Sequence, residues 1–141
     1  MKTQSRFGIT IPSGADLFIP EQYYTNRRVN DVVTNTLTTI LTSPAIAYAG
    51  TFYVSGSVTA FSDGAVDTTN VVNLVIFNGP TVVAKSAGHA APEGNTINVF
   101  TNLQIQAGDV LTLQVKHGGL DNVTLADDQD MESKLSIFKI Y

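Results

Sequence analysis

The sequence contains no cysteine. Disulfide bonds, thiolate catalysis and cysteine-ligated metal sites are therefore excluded. A small protein that lacks disulfide bonds has to gain its stability from other sources, and association of several copies of the chain is one of them.

Charged residues are also scarce. They make up 14% of the 141 residues, against about 25% in an average soluble protein, and threonine, asparagine, serine and glutamine take their place. A polar surface with few charges is typical of robust extracellular or virion β-proteins. The formal net charge is -4, and Arg27 and Arg28 are the only adjacent basic residues. Because phosphate contacts need clustered Lys and Arg side chains, we predict no nucleic-acid binding.

Long apolar runs are missing as well. No stretch approaches the ~20 apolar residues that a membrane-spanning helix needs. The opening residues Met1–Arg6 are not followed by the apolar run of about 7–15 residues that marks a secretory signal. We therefore expect a chain that is made in a cytoplasm and does not insert into a membrane.

What the sequence does contain is apolar residues in period-two alternation, which is typical of half-buried strands. The alternation is clearest in the segments Thr51–Phe61, Val71–Phe77, Thr96–Ile105 and Leu111–Val115. Predicted turns separate them at Asp63-Gly64, Asn78-Gly79 and Ala107-Gly108. Several short strands with Gly and Asn between them predict an all-β sandwich.

The first third of the chain is less regular. Proline and glycine interrupt residues 1–28, and we interpret them as an N-terminal arm with one short strand. Residues 29–42 are rich in Val and Thr, which favours a strand, but their alternation is imperfect. A bend or bulge near Asn35 would explain this, as would a short helix. The predicted organisation is an arm over residues 1–28 and a sandwich domain over residues 29–141.

The last strand, Lys134–Tyr141, is apolar on both faces. One face carries Ser136, Phe138 and Ile140, and the other carries Leu135, Ile137 and Tyr141. The core of the domain can bury one face. Large apolar side chains stabilise a protein by about 1.5–3 kcal/mol each when buried, so we expect another copy of the chain to cover the second face. A monomeric sandwich with a loop folded over the strand would give the same pattern.

Four segments follow one another in an order that resembles a known superfamily. They are Ala49–Ser55, Val72–Gly79, Leu103–Leu113 and Ser133–Phe138. They are similar to the Pro-Gly-x-Tyr-x-Phe-Ser strand, the v-x-L-x-x-N-G hairpin, the L-x-L-x-x-Gly-Asp-x-V-x-L segment and the closing strand of the tumour-necrosis-factor-like and complement-globular-head superfamily. Ala49 stands where that superfamily has proline, and the resemblance covers about residues 44–141.

This resemblance implies a jelly-roll β-sandwich of about 8–10 antiparallel strands that assembles as a homotrimer around a threefold axis. In such trimers the last strand lies in the inner sheet, beside the axis. The predicted trimer interface consists of Tyr53, Phe77, Leu135, Ile137, Phe138 and Tyr141.

Candidates for chemistry are few. His89 and His117 each stand beside glycine in a predicted loop, where a solvated side chain is a simpler interpretation than a metal ligand or a catalytic base. The sequence carries no nucleophile elbow, phosphate-binding loop or metalloprotease motif. We therefore predict that the chain is not an enzyme and holds no cofactor.

Acidic residues are concentrated in one loop, at Asp127, Asp128 and Asp130. Calcium binds several oxygen ligands on flexible loops, and some members of the resembled superfamily hold calcium near the trimer apex. These three carboxylates are a possible ion-binding site, and a solvated acidic loop is the alternative.

Three functions are compatible with these observations. The first is a virion structural protein of a bacteriophage, made in the host cytoplasm, whose trimer decorates the capsid or forms a short-fibre head and whose N-terminal arm binds capsid or tail proteins. The second is a receptor-binding head that recognises a host saccharide or protein through the loops at residues 63–70, 87–95 and 117–130. The third is an extracellular signalling or matrix module, ranked last because neither a secretory signal nor a collagen-like stalk is evident.

Overall fold

The computed structural model describes the strands at residues 3–6, 9–12 and 22–27 and the segments 32–64, 70–119, 121–126 and 132–140. Within these ranges the chain forms twelve β-strands and no helix, so no helix there could cross a membrane. In chain order the strands are β1 (Thr3–Arg6), β2 (Ile9–Pro12), β3 (Gln22–Arg27), β4 (Val32–Val33), β5 (Thr38–Thr42), β6 (Gly50–Ser62), β7 (Val71–Asn78), β8 (Thr81–His89), β9 (Asn95–Ile105), β10 (Leu111–His117), β11 (Val123–Leu125) and β12 (Ser133–Lys139). The all-β prediction is confirmed.

Two antiparallel sheets form the sandwich. The four-stranded sheet has the order β5-β10-β7-β8, and the larger sheet has the order β3-β12-β6-β11-β4. Strand β6 runs through the larger sheet for 13 residues. It pairs with β9 along one edge, and with β12 and then β11 along the other. Strands β1 and β2 form a separate two-stranded sheet.

The core lies between the two sheets and follows the alternation in the sequence. Phe52, Val54 and Val58 of β6 are buried, and they share one core cluster with Leu74 and Ile76 of β7 in the facing sheet. Each such side chain stabilises the fold by about 1.5–3 kcal/mol. The period-two alternation predicted for these two segments is therefore present in the structure, and the structure shows which of their faces is turned to the core.

The sheets approach each other closely at Gly56. A Cβ atom at this position would lie 2.5 Å from Cδ1 of Leu113 on β10 in the facing sheet. Glycine therefore occupies an inward position of β6 at which the Leu113 side chain already fills the space that a larger residue would need.

The turns at one end of the sandwich are joined by side chains. The predicted hairpin between β7 and β8 is present, but its two turn residues are Gly79 and Pro80, because Asn78 still pairs with Thr81. Gly79 has a φ of 57°, in the left-handed region that glycine enters at little steric cost. The Asp109 carboxylate accepts hydrogen bonds from Asn78 Nδ2 and from the backbone N–H of Gln106, each at 2.9 Å. These bonds connect the β7–β8 turn to the β9–β10 turn.

Strand pairing explains the irregular N-terminal region. A bend at Asn35 and Thr36 separates β4 from β5, so the predicted bend is present, and the described residues 32–42 contain no short helix. Strand β3 pairs with β12 along its full length. Residues 22–27, which the sequence assigned to the arm, therefore form the edge strand of the larger sheet, because β12 offers them a free edge.

Candidate functional site

The outward side of the larger sheet carries the candidate site. Most inward positions on β6, β9 and β12 are apolar and buried, so the alternate side chains leave the sheet on its other side. We call this set the aromatic face; it consists of Tyr53, Ser55, Ser57, Asn98, Phe100, Lys134, Ser136 and Phe138. The strand register places Tyr53 opposite Phe138, and Ser55 opposite Phe100.

Two rings of the aromatic face stack on each other. The centroids of Tyr53 and Phe100 are 6.3 Å apart, and their planes are inclined by 29°. Tyr53 is 36% exposed and Phe100 is 67% exposed. Because the rings are diagonal neighbours on adjacent strands, they support each other's position. Much of their apolar surface still contacts water in the isolated protomer.

An open depression of about 410 Å³ lies beside these rings. It is lined by Tyr53, Ser55, Gly56, Ser57, Asn98, Val99, Phe100, Lys134 and Ser136. Lys134 is the one charged side chain in this lining, and the other polar groups are neutral hydroxyls and amides. The two aromatic residues and the single charge are typical of the centre of a protein–protein interface, whereas the three serines are typical of ordinary protein surface.

Leu135 and Ile137 were predicted at the trimer interface, and the structure corrects both. Each is 1% exposed in the single protomer and belongs to the core cluster. The reason is that β12 lies between β3 and β6 in the sheet, so its inward side chains are covered by the facing sheet of the same chain. Neither side chain has exposed surface that a second copy of the chain could cover. Phe138, at an alternate position of β12, lies on the outward side of the sheet.

Phe77 also lies away from Tyr53. It is a half-buried outward residue of β7 in the four-stranded sheet, paired with Val82 and Thr112. Tyr53 belongs to the larger sheet, and the chain changes sheets between β6 and β7. The two aromatic residues therefore stand on opposite sides of the sandwich and are not brought together.

The other predicted site residues are placed as follows. Tyr141, Asp127, Asp128 and Asp130 lie outside the described residues. Within the described part of the chain, no group of three or more His, Cys, Asp or Glu side chains is arranged to hold a metal ion. His89 is exposed at the end of β8.

His117 is a buried residue, 4% exposed, in a polar network at the start of β7. Asn70 is 0% exposed; its Nδ2 donates to Asp121 Oδ2 at 2.7 Å and to Ser62 Oγ at 3.1 Å. His117 Nε2 lies 3.3 Å from Asn70 Oδ1 and accepts a hydrogen bond from the Gly119 N–H at 3.1 Å. Burial lowers the pKa of the His117 imidazole below its ordinary value, and the Asp121 carboxylate opposes that shift.

The interpretation of His117 as a solvated loop residue is therefore wrong. It is the last residue of β10 and continues the inward face of Leu111, Leu113 and Val115. Sequence reasoning also missed Phe100. The signal was present, since Ile97 and Val99 point inward and the next residue of a strand has to point outward.

The sequence matches no protein-family model, and no curated protein matches it. Solved structures do match in three dimensions. Eiger TNF from S. frugiperda superimposes with a TM-score of 0.57 and 11% sequence identity, over 87% of this chain and 94% of that one. Murine APRIL superimposes with TM-scores of 0.54 at pH 5.0 and 0.52 at pH 8.5, each with 12% identity. These matches cover 85% and 84% of this chain and 98% and 99% of APRIL. The chain therefore has the jelly-roll fold of tumour-necrosis-factor-like proteins, as the motif order predicted.

Proposed function

We propose that the chain is a non-enzymatic structural protein that forms a homotrimer through the aromatic face. The observation that carries this proposal is the cluster of Tyr53, Phe100 and Phe138 on one outward sheet surface. Burying a large aromatic side chain stabilises an assembly by about 1.5–3 kcal/mol, scaled by the part that is exposed beforehand. An exposed apolar cluster of this kind favours association over solvation.

The composition of the aromatic face supports a second copy of the chain as its partner. Its polar groups are mostly neutral, so two such surfaces can meet without strong like-charge repulsion. The Lys134 ammonium group would lie at the edge of the interface, where water still solvates it. Cyclic symmetry closes the assembly after a fixed number of copies and so prevents open-ended growth. Three copies is the number that the resemblance to the tumour-necrosis-factor-like superfamily implies.

The role proposed for this trimer is that of a bacteriophage virion protein. In this role the sandwich is the outward head, as a capsid decoration or the tip of a short fibre. The N-terminal arm contacts capsid or tail proteins. A cysteine-free chain in which only 14% of the residues are charged supports this role, because such a protein keeps its surface properties across redox and salt conditions.

A receptor-binding head is the second candidate, and hydrogen bonds between loops favour it. Ser62 N donates to the Ala91 carbonyl oxygen, and Asp63 N donates to that of Asn122. Ala90 N donates to the Asn70 carbonyl oxygen. The described parts of the loops at residues 63–70, 87–95 and 117–130 therefore meet at one end of the sandwich, where they could form a combined recognition surface. An extracellular signalling module is compatible with the shared fold of Eiger TNF and APRIL.

Light scattering on the purified chain tests the shared premise. Three copies of 15.1 kDa give a mass of 45.3 kDa, and a species of 15.1 kDa at micromolar concentration would contradict the proposal. Binding assays then separate the roles. Co-sedimentation with purified capsids or tails supports the virion role, whereas binding to a glycan array without capsid binding supports the receptor-binding head.

A further inference from the structure

The Nε2 atom of His117 lies within hydrogen-bond distance of two groups, one a donor and the other an acceptor. The backbone N–H of Gly119, 3.1 Å away, needs a lone pair on this nitrogen. The side-chain oxygen Oδ1 of Asn70, 3.3 Å away, needs a proton on the same nitrogen. Each protonation state of the imidazole therefore satisfies one partner and leaves the other unmatched, which is costly at a buried site.

The Asn70 amide cannot remove this conflict by turning over. Its Nδ2 donates to the Asp121 carboxylate at 2.7 Å and to Ser62 Oγ at 3.1 Å, and an ionised carboxylate can only accept. A reversed amide would place two oxygens against each other at Asp121. The orientation of the amide is therefore fixed, and Oδ1 stays directed at His117.

We propose that His117 is a proton-operated switch that sets the conformation of the turn at Gly118 and Gly119. With a neutral ring protonated on Nδ1, Nε2 holds the Gly119 N–H and the turn is closed. Protonation of Nε2 directs its N–H to Asn70 Oδ1, and the Gly119 N–H then loses its acceptor and faces a positive ring. The turn opens in response, which two consecutive glycines allow because their backbone is the least restricted.

The elements packed around His117 supply mostly neutral groups. The Thr34 carbonyl oxygen, which follows β4, accepts the His117 backbone N–H at 2.8 Å. Ser62 at the end of β6 and Asn70 before β7 contribute a hydroxyl and an amide to the network. Asp121, before β11, is the charged group that acts on the ring.

Among the described residues near this end of the sandwich, Asp63, Glu93 and Lys116 also carry charge, and none of them hydrogen-bonds to the ring; Glu93 is exposed in the loop between β8 and β9. Both oxygens of Asp63 accept hydrogen bonds from Asn122, at 3.0 Å from its backbone N–H and at 2.8 Å from Nδ2. Lys116 is exposed on the outward side of β10. Burial lowers the pKa of His117 and Asp121 raises it by a smaller amount, so the ring is neutral at neutral pH. In the form protonated on Nδ1 the neutral ring closes the turn, and protonation of Nε2 in acidic solution opens it.

The switch acts on the end of the sandwich at which three loops meet. Gly119 leads to Asp121 and Asn122, and these residues bond to Asn70 and Asp63. An open turn therefore changes the surface formed by these loops. The inference does not depend on the proposed trimer, because every group involved belongs to one protomer.

An NMR titration of the full chain tests the switch. We expect the Gly119 amide resonance to shift with the same midpoint as the His117 imidazole. We also expect its hydrogen-exchange protection factor to fall about tenfold through that midpoint, which equals about 1.4 kcal/mol. A Gly119 resonance and protection factor that stay constant while His117 titrates would overturn the proposal.

Two variants separate the switch from a purely structural role of His117. His117→Gln has no group that titrates in this range, so the pH dependence at Gly119 should disappear, whereas His89→Gln should retain it. If His117→Gln does not fold, the Gly119 resonance and protection factor of the parent chain and of His89→Gln, measured against pH, are sufficient to test the proposal. A folded His117→Gln protein whose Gly119 amide still follows the parent titration would contradict the proposal.

Discussion

Phe138 of β12 lies directly opposite Tyr53 of β6, and the Tyr53 ring in turn stacks on Phe100 of β9. Three strands that are distant in sequence thus place aromatic side chains side by side on one sheet surface. Single exposed apolar residues are ordinary in soluble proteins, but a cluster that spans three strands indicates an interaction surface.

The first prediction concerns Phe100→Asp. Phe100 is 67% exposed in the protomer, so a carboxylate there meets water and the single sandwich should remain folded. In the proposed trimer the same carboxylate is buried without a partner, at a cost of about 3–5 kcal/mol. That cost corresponds to a loss of affinity of roughly a hundredfold to several thousandfold per contact. Light scattering should show the mass falling from 45.3 kDa, three times the 15.1 kDa chain, to that of a single chain.

Val82→Asp is the matched control for Phe100→Asp. Val82 is 49% exposed on β8, in the four-stranded sheet rather than on the aromatic face. This variant should keep the parent's mass. If both substitutions dissociate the assembly equally, or if neither does, the aromatic face is not the interface.

A second prediction separates the two sides of β12. Ile137→Ala leaves a cavity at a site that is 1% exposed, and such truncations cost about 2–5 kcal/mol of unfolding free energy. Ser136→Ala, one residue earlier on the outward side, should change the unfolding free energy by about 0.5 kcal/mol or less. Denaturant titrations at one fixed protein concentration measure both, since association also contributes to stability. Equal effects at the two positions would contradict the inward placement of Ile137.

Local rules predicted much of the sandwich. Alternation identified which residues of β6, β7 and β10 share a face, and the Asn78-Gly79 dipeptide identified the hairpin, because both depend on a few neighbouring residues. On β12 the alternation separated Leu135 and Ile137 from Phe138. It could not tell which side faces the core, because both sides are apolar and the covering sheet comes from distant parts of the chain.

The positions of Phe77 and His117 could not be predicted from the sequence, for the same physical reason. Whether Phe77 shares a surface with Tyr53 depends on the sheet that β7 joins, and this is set by pairing with β8 and β10 rather than by its own sequence. His117 is buried and contacts Asn70, which is 47 residues away in the chain. A polar residue beside two glycines looks like a loop residue until its long-range partner is known.

A third prediction concerns acid stability through Asp109. Hydrogen bonds from Asn78 and from the Gln106 N–H lower the pKa of its carboxyl group. A group whose pKa is lowered by folding stabilises the protein above its unfolded pKa, and this contribution is lost as the pH falls through the folded value. Asp109→Asn should therefore lower the thermal midpoint at neutral pH and reduce its further decline below about pH 4.

Thermal midpoints measured from pH 7 down to about pH 3 check this expectation. Glu93→Gln, which removes an exposed carboxylate in the loop between β8 and β9, is the control and should follow the parent curve. A curve for Asp109→Asn that runs parallel to the parent at every pH would show that the hydrogen bonds of Asp109 do not contribute to acid stability.

The last prediction tests the fixed orientation of the buried Asn70 amide. Asn70→Asp replaces the donor that lies 2.7 Å from Asp121 Oδ2 with a second carboxylate, and two such groups cannot both ionise at low cost. We expect unfolding free energy at pH 7 to fall by about 3–5 kcal/mol, the range for an uncompensated buried charge. Acidification should partly restore it, because a protonated carboxyl group can donate to its neighbour. The parent behaves in the opposite way, since the lowered pKa of His117 makes acid destabilising as the pH falls through that pKa.

The exchange variant Asn70→Asp/Asp121→Asn is the decisive comparison, because it swaps donor and acceptor across the same pair of atoms. It restores one amide and one carboxylate, so it should recover most of the stability that Asn70→Asp loses at pH 7. Denaturant titrations of the parent, both single variants and the double variant complete a double-mutant cycle. If the double variant is no more stable than Asn70→Asp, the Asn70–Asp121 hydrogen bond does not set the amide orientation, and the argument that directs Oδ1 at His117 loses its basis.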